Sequence, residues 1–330
     1  MMSMLLINLP DNARLRRVFQ TSDFERLAGM GEIVRFDPTS GSVERFHDLL
    51  GRADAMLTGW GSRSLTHDDW AAASAGRSME RPLLVAHAAG SIRHLVPREL
   101  LSKGVRLTQS ASGMAPSVAQ FAVGLMILGL RQTMGRTAAL RAGQRTNETE
   151  PYRDLRGLTV GLWGLSQVGR RVPPLLAPFG CRVIAYDPYW STEDAAALGV
   201  ELVDDLDELV RHSDVLSLHA PVTDATRRQL DARRTALLQP GSVVVDQEAL
   251  FARAQAGEIQ LYTDVTEPEP LPTDHLAWQC PGIFITPHIA GPTSQALRQI
   301  GTHAIDEIER FLKGEPLKSE ITPDRYDILA

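Results

Sequence analysis

Cysteine is scarce in this chain of 330 residues. Cys181 and Cys280 are the two present, and their spacing matches no metal-ligand pattern. A disulfide framework and a metal centre are set aside, and both thiols are read as reduced. Basic blocks are absent too. The formal net charge is −6, so nucleic acid is not an expected partner. The most apolar run, Val118–Leu130, falls short of the ~20 residues that cross a bilayer, so no membrane partner is expected. Met1–Asn8 carries no basic region or cleavage site and reads as a first strand rather than a signal peptide, which makes a cytoplasmic location the expectation. What is present is 43% hydrophobic residues and 22% charged ones, in a chain long enough for about two domains.

One stretch organises the rest. Leu158–Trp163 is a short apolar run that reads as a buried strand. Gly164, Leu165, Ser166, Gln167, Val168 and Gly169 form a tight turn into a helix, which carries apolar spacing over Arg170–Phe179 and stops at Gly180. Arg182–Tyr186 is a second strand, closed by Asp187. Strand, glycine turn, helix, strand and terminal acid make a dinucleotide-binding unit. Glycine lets the backbone approach a pyrophosphate, and the helix start offers free N–H groups. Asp187 is placed to accept hydrogen bonds from ribose hydroxyls and to repel a 2′-phosphate, which favours NAD over NADP. Two features depart from the ideal unit. Ser166 stands where a middle glycine is expected, and Pro173 with Pro174 predicts a kink or a late helix start.

Upstream, strands are expected at Met4–Leu9, Glu32–Phe36, Ala55–Thr58, Leu83–Ala86 and Val105–Leu107. Helices fit Asn12–Ala28, Val43–Leu50, Thr66–Ala75 and Pro97–Ser102. This is a small parallel α/β domain of its own. Gly90 and Ser91 follow one of its strands at the carboxyl end, where ligands of open α/β sheets bind. Their backbone N–H groups suit a substrate carboxylate, although an ordinary βα loop fits the residues equally. Pro116–Arg131 reads as a long helix buried on more than one face, either a domain-joining core helix or part of a dimer interface.

Downstream, strands are expected at Val215–Leu218, Ser242–Val245, Gln260–Asp264 and Ile283–Thr286, before a last long helix capped by Thr293 or Ser294. Glu267 and His288 lie just beyond successive strand ends. An imidazole gives a proton to a carbonyl oxygen or takes one from a hydroxyl near neutral pH, and a neighbouring carboxylate stabilises its charged form. Beside a nicotinamide, such a pair suits hydride transfer between an alcohol and a ketone.

Four stretches together resemble the D-isomer-specific 2-hydroxyacid dehydrogenases: Thr159–Arg170, Leu218–Arg227, Asp264–Pro272 and Thr286–Gly291. The resemblance spans essentially the whole chain. It implies two Rossmann-like α/β domains with parallel sheets. The NAD-binding domain, 108–290, is inserted in a substrate domain made of 1–107 and 291–330. It implies His288 as acid/base, Glu267 as its partner, and Asp264 near the nicotinamide. It implies that the backbone of Gln167 and Val168 holds pyrophosphate, that His219, Ala220 and Pro221 line the adenosine side, and that Gly90 and Ser91 take the substrate carboxylate. A homodimer through the cofactor domain is also implied. The expected activity interconverts a small 2-oxo acid and a D-2-hydroxy acid, with a formate dehydrogenase as a further option.

One segment of that pattern is missing. The family places an arginine, in an Asn-x-x-Arg-Gly stretch, after the strand that follows the Pro-Gly turn. That arginine binds the 2-oxo acid and polarises its carbonyl. Here Val245 runs straight into Asp246, roughly eight residues short, leaving no room for a βα loop of the usual length. Three explanations compete. The junction omits residues that belong to the natural chain; or the protein is shortened and recruits another arginine, such as Arg93; or it binds NAD(H) without efficient turnover, as a regulator or sensor.

Overall fold

The computed structural model describes residues 2–75, 81–144, 152–245, 251–280 and 282–327. The chain divides into two compact units, 1–114 with 293–330, and 115–292. The sequence reading had put the cuts at 107/108 and 290/291.

The first unit runs β1 (Ser3–Asn8), α1 (Ala13–Val18), α2 (Thr21–Ala28), β2 (Gly31–Phe36), α3 (Val43–Arg52), β3 (Ala55–Thr58), α4 (His67–Ser74), β4 (Leu83–His87) and β5 (Val105–Gln109). Its strands are all parallel, in the order β2-β1-β3-β4-β5. Side chains alternate across the sheet as the period of two requires. Met4 and Leu6 of β1 pack with Phe46, Leu49 and Leu50 of α3. Leu5 and Ile7 pack on the other face with Leu297, Ile300 and Ile305 of the last helix. Burial on both faces explains why these strands read as continuous apolar runs.

The expected helix over Asn12–Ala28 is two helices. Phe19 ends the first in extended backbone, and Gln20 starts the second through a capping box with Asp23. Reciprocal caps make a break at that point cheaper than the apolar spacing alone suggests. Pro97 caps a 3-10 turn over Arg98–Lys103 in place of an α-helix.

The second unit continues from α5 (Ala111–Leu130), which begins in the first. It runs α6 (Thr133–Arg141), β6 (Thr159–Trp163), α7 (Val172–Leu176), β7 (Arg182–Tyr186), α8 (Thr192–Ala197), β8 (Glu201–Leu202), α9 (Leu206–His212), β9 (Val215–Leu218), α10 (Ala232–Thr235), β10 (Val243–Val245), α11 (Phe251–Gln255), β11 (Gln260–Thr263) and β12 (Ile283–Ile285). The sheet is parallel throughout, in the order β12-β11-β10-β9-β6-β7-β8. Ala119, Ala122, Val123 and Met126 of α5 cover one face; Leu206, Leu209 and Val210 of α9 cover the other. At 20 residues α5 is longer than the apolar run expected from sequence. By length and apolarity alone it could cross a membrane, yet 44% of its most apolar window is buried inside the protein. The prolines delay α7 as expected. A 3-10 turn over Gly169–Arg171 precedes it, so Pro173 and Pro174 fall in the first α-turn, where a missing N–H costs little.

The last helix, α12 (Ser294–Leu312), returns to the first unit. Its Glu307 is 1% exposed. The carboxylate accepts from the backbone N–H groups of Lys318 (3.0 Å) and Ser319 (3.1 Å) and from the Ser319 hydroxyl (3.2 Å), tying down the segment that follows. Replacing Glu307 with Ala orphans these donors. It is expected to destabilise the protein by about 2–4 kcal/mol in urea unfolding followed by tryptophan fluorescence. A variant as stable as the parent would contradict the assignment.

Candidate active site

Each sheet reverses its strand order once, and ligands of such sheets sit at the carboxyl edge of the reversal. In the second unit the reversal lies between β6 and β9. Gly164 ends β6 with φ of +94°, and a Cβ there would sit 2.7 Å from the Ala220 nitrogen. A Cβ on Gly169 would sit 2.0 Å from the Gly164 carbonyl oxygen. Both glycines are therefore demanded by backbone packing. Ser166 is not so confined, and its hydroxyl donates to the His219 carbonyl at 2.9 Å, tying the glycine turn to the loop after β9. The backbone N–H groups of Ser166, Gln167 and Val168 have no acceptor among the described residues. This is a cradle open to an anion, and it fits a pyrophosphate.

Asp187 stands at the end of β7. Its two carboxylate oxygens accept from the N–H groups of Leu165 (2.7 Å) and Tyr189 (2.9 Å). Each oxygen keeps a lone pair for a ribose hydroxyl. His219 follows β9 with its Nε2 2.9 Å from Ser217 Oγ. Its N–H donates to the Trp163 carbonyl, which sets Ala220 against the turn. Pro221 accepts from Thr226 Oγ1, holding the loop that leads to Arg227.

The structure corrects one sequence expectation here. The carboxylate on His288 is Glu269, whose Oε1 lies 2.7 Å from the imidazole Nδ1. Glu267 points elsewhere, 3.7 Å from the Arg227 guanidinium, with 78% of its side chain exposed. Both glutamates precede a proline in one Glu-Pro-Glu-Pro run, so no local signal separates them. The path of the loop does. Asp264, expected near the nicotinamide, binds the protein through its carboxylate. Oδ1 accepts from Thr286 Oγ1 (2.6 Å) and the Ile289 N–H (2.9 Å), and Oδ2 accepts from the Ala290 N–H (2.8 Å). The His288 N–H donates to the Asp264 carbonyl at 3.1 Å. These bonds hold His288 at φ +52°, a conformation that a non-glycine residue keeps only when its surroundings impose it. With Nδ1 on Glu269, Nε2 has no protein partner.

In the first unit, Gly90 and Ser91 follow β4 in the loop where the sequence reading put them. Among the described residues, the N–H groups of Ala89, Gly90 and Ser91 have no acceptor, although Ala89 is 1% exposed. Ala89 is buried, Gly90 half-buried and Ser91 exposed, and successive N–H groups of this kind suit an anion. Arg93, the candidate replacement arginine, donates to the Asp327 carbonyl on the surface (3.2 Å). The Val245–Asp246 junction, with 246–250, lies outside the described residues, as do 145–151, part of the stretch Thr133–Tyr152 that the sequence reads as a helix and a loop.

Two imidazoles, the buried His87 and the half-buried His219, give the protein a pH signature. Burial pushes His219 from 6.5 down to about 4. It does the same to His87, with the Ser91 backbone pulling partly the other way. Both rings are neutral in the fold and bind protons once unfolded. Stability is therefore full above pH 6.5 and is lost as the pH falls from 6.5 to about 4. Urea midpoints should drop across that window and drop less in a His87→Gln/His219→Gln variant. Parallel curves would refute this source. In the glycine turn, Gly169→Ala is expected to abolish NADH binding in fluorescence titration, and Ser166→Gly to change it by less than about tenfold. The reverse ranking would refute the packing argument.

A family model described as D-isomer specific 2-hydroxyacid dehydrogenase, NAD binding domain, matches residues 123–290. Hydroxypyruvate reductase of Thermotoga maritima is 31% identical over 250 residues, covering 72% of this chain and 79% of the relative. D-3-phosphoglycerate dehydrogenase of Methanocaldococcus jannaschii is 30% identical over 245 residues, covering 72% of this chain and 47% of the relative. The chain thus spans about half the length of the D-3-phosphoglycerate dehydrogenases it matches. Among solved structures, the apo form of Rhodotorula graminis D-mandelate dehydrogenase shares the fold with a TM-score of 0.80 at 21% identity, over 97% of each chain. A glyoxylate reductase from Paecilomyes thermophila shares it at 0.78 and 21%, over 97% of this chain and 98% of that one. With its glycine turn and this match across the second unit, the chain belongs to the D-isomer specific 2-hydroxyacid dehydrogenase family, and the dinucleotide it takes is NAD.

Proposed function

We propose that the protein reduces a small 2-oxo acid to the D-2-hydroxy acid, and runs the reverse reaction, with His288 as acid/base and Glu269 as its partner. The observation that carries this reading is the 2.7 Å contact between Glu269 Oε1 and His288 Nδ1. A carboxylate there fixes the orientation of the ring, so Nε2 faces outward as the proton donor. Bound NADH supplies the hydride to the carbonyl carbon. His288 gives its Nε2 proton to the oxygen as negative charge builds there, and takes it back in the reverse direction. Asp264 acts through His288 by holding its backbone. The amides of Ala89, Gly90 and Ser91 receive the substrate carboxylate. Gln167 and Val168 offer backbone donors to the pyrophosphate, and His219, Ala220 and Pro221 line the adenosine side.

A homodimer through the second unit accompanies this reading. Ile127 and Leu128 of α5 and Met134 and Leu140 of α6 are exposed apolar residues on consecutive helices, a surface that a second copy would cover.

The run of Val245 into Asp246 favours a second reading, an NAD(H)-binding regulator with weak activity. Losing a group that stabilises transition-state charge costs on the order of 10²–10³ in rate.

NADH oxidation measured with glyoxylate, hydroxypyruvate, pyruvate and bulkier 2-oxo acids separates the two. Turnover abolished by His288→Ala supports the enzyme. Glu269→Gln is expected to lower kcat by about 10²-fold and Glu267→Gln to stay within about twofold. Tight NADH binding with no turnover on any acid would favour the regulator. Equal losses in the two glutamate variants would overturn the assignment of Glu269.

A further inference from the structure

His87 is a buried imidazole that the reaction scheme above does not use. It is the last residue of β4, 5% exposed, and begins the loop that carries Gly90 and Ser91. Its Nδ1 lies 3.0 Å from Thr58 Oγ1 on the adjacent strand β3, where the two residues are register partners. The ring also engages the Ser91 backbone, four residues on. A neutral imidazole has one acceptor and one donor. With Nδ1 accepting from the Thr58 hydroxyl, Nε2–H is left for the Ser91 carbonyl.

That bond has a geometric consequence. In a trans peptide the carbonyl and the following N–H point in opposite directions. The Ala89 carbonyl accepts from the Ser110 N–H at 3.1 Å, which fixes the peptide plane carrying the Gly90 N–H. The Ser91 carbonyl, held by His87, fixes the plane carrying the Ile92 N–H. The plane between them, with the Ser91 N–H, is anchored at both ends. The start of the loop is anchored too, because the Ala88 N–H donates to the Thr58 carbonyl at 2.8 Å. Carbonyls are spent on the protein, and N–H groups are left facing outward.

We propose that His87 is a positioning residue for substrate: its neutral ring, braced on Thr58, holds the amides of Ala89, Gly90 and Ser91 in the arrangement that receives the carboxylate of the 2-oxo acid. The proposal rests on the reading that these amides are the carboxylate site. It predicts a defect in substrate binding, not in chemistry or in NADH binding, because the imidazole touches neither the reacting carbon nor the dinucleotide cradle.

The test compares His87→Phe, which keeps the ring and removes both polar nitrogens, with His87→Gln, which restores an amide donor. His87→Phe should raise KM for glyoxylate by about tenfold or more, leave kcat within about threefold, and leave NADH affinity unchanged. His87→Gln should recover part of the loss. Thr58→Val, which removes only the hydroxyl, should give a smaller rise in KM and serves if the phenylalanine variant does not fold. An unchanged KM, or a parallel fall in kcat, NADH affinity and 1/KM, would overturn the proposal. If the parent turns over no 2-oxo acid, the proposed activity fails on its own. The brace is then read by amide hydrogen exchange over 88–95. Faster exchange in His87→Phe than in the parent supports it, and equal exchange overturns it.

Discussion

Everything proposed for the chemistry of this protein hangs on the carboxylate of Asp264. It sits at the end of β11, one strand away from the loop it controls. Its two oxygens gather the Thr286 hydroxyl and the N–H groups of Ile289 and Ala290. Charge-assisted bonds of this kind are about twice as strong as neutral ones. Together they offset the cost of holding His288 in left-handed backbone, of order 1–3 kcal/mol. The strain has a purpose that the contacts make visible. With His288 turned this way, Nδ1 meets Glu269 and Nε2 stays without a protein partner. The Asp264 carboxylate thus sets which imidazole nitrogen meets Glu269 and which is left without a partner among the described residues.

The same economy appears at the strand-order reversal of the second unit and after β4 in the first. Backbone carbonyls and short hydroxyl side chains are used up internally, so successive N–H groups have nothing in the protein to bond. In the second unit Ser166 and Ser217 lock His219 and the glycine turn together. In the first, Thr58 and Ser110 lock the loop after β4. Two anion cradles result, built without a lysine or arginine. The two histidines are the pieces in each brace that acid can disrupt, because both are held neutral by burial.

Much of this was legible in the sequence, for identifiable reasons. The glycines at 164 and 169 are demanded by backbone contacts of 2.7 Å and 2.0 Å, so no other residue suits them and the motif survives as a pattern. Parallel strands buried on both faces leave continuous apolar runs, which is why most of the strands could be read directly. What could not be read depends on partners distant along the chain. Glu267 and Glu269 look alike locally, and only the fold of their loop sends one to His288 and the other to Arg227. The role of Asp264 needs the neighbouring strand that delivers Thr286. The bond from Thr58 to His87 exists because β3 and β4 pair in that register. The split between α1 and α2 was hidden by apolar spacing that runs across the break.

The central claim is stereospecific reduction driven from His288. A single-turnover reaction tests it most directly, with protein and NADH in excess over hydroxypyruvate and the product resolved by chiral chromatography. The account predicts D-glycerate in amounts matching the NADH consumed, and none formed by His288→Ala. L-glycerate, a racemate, or product formed equally well without the imidazole would contradict it.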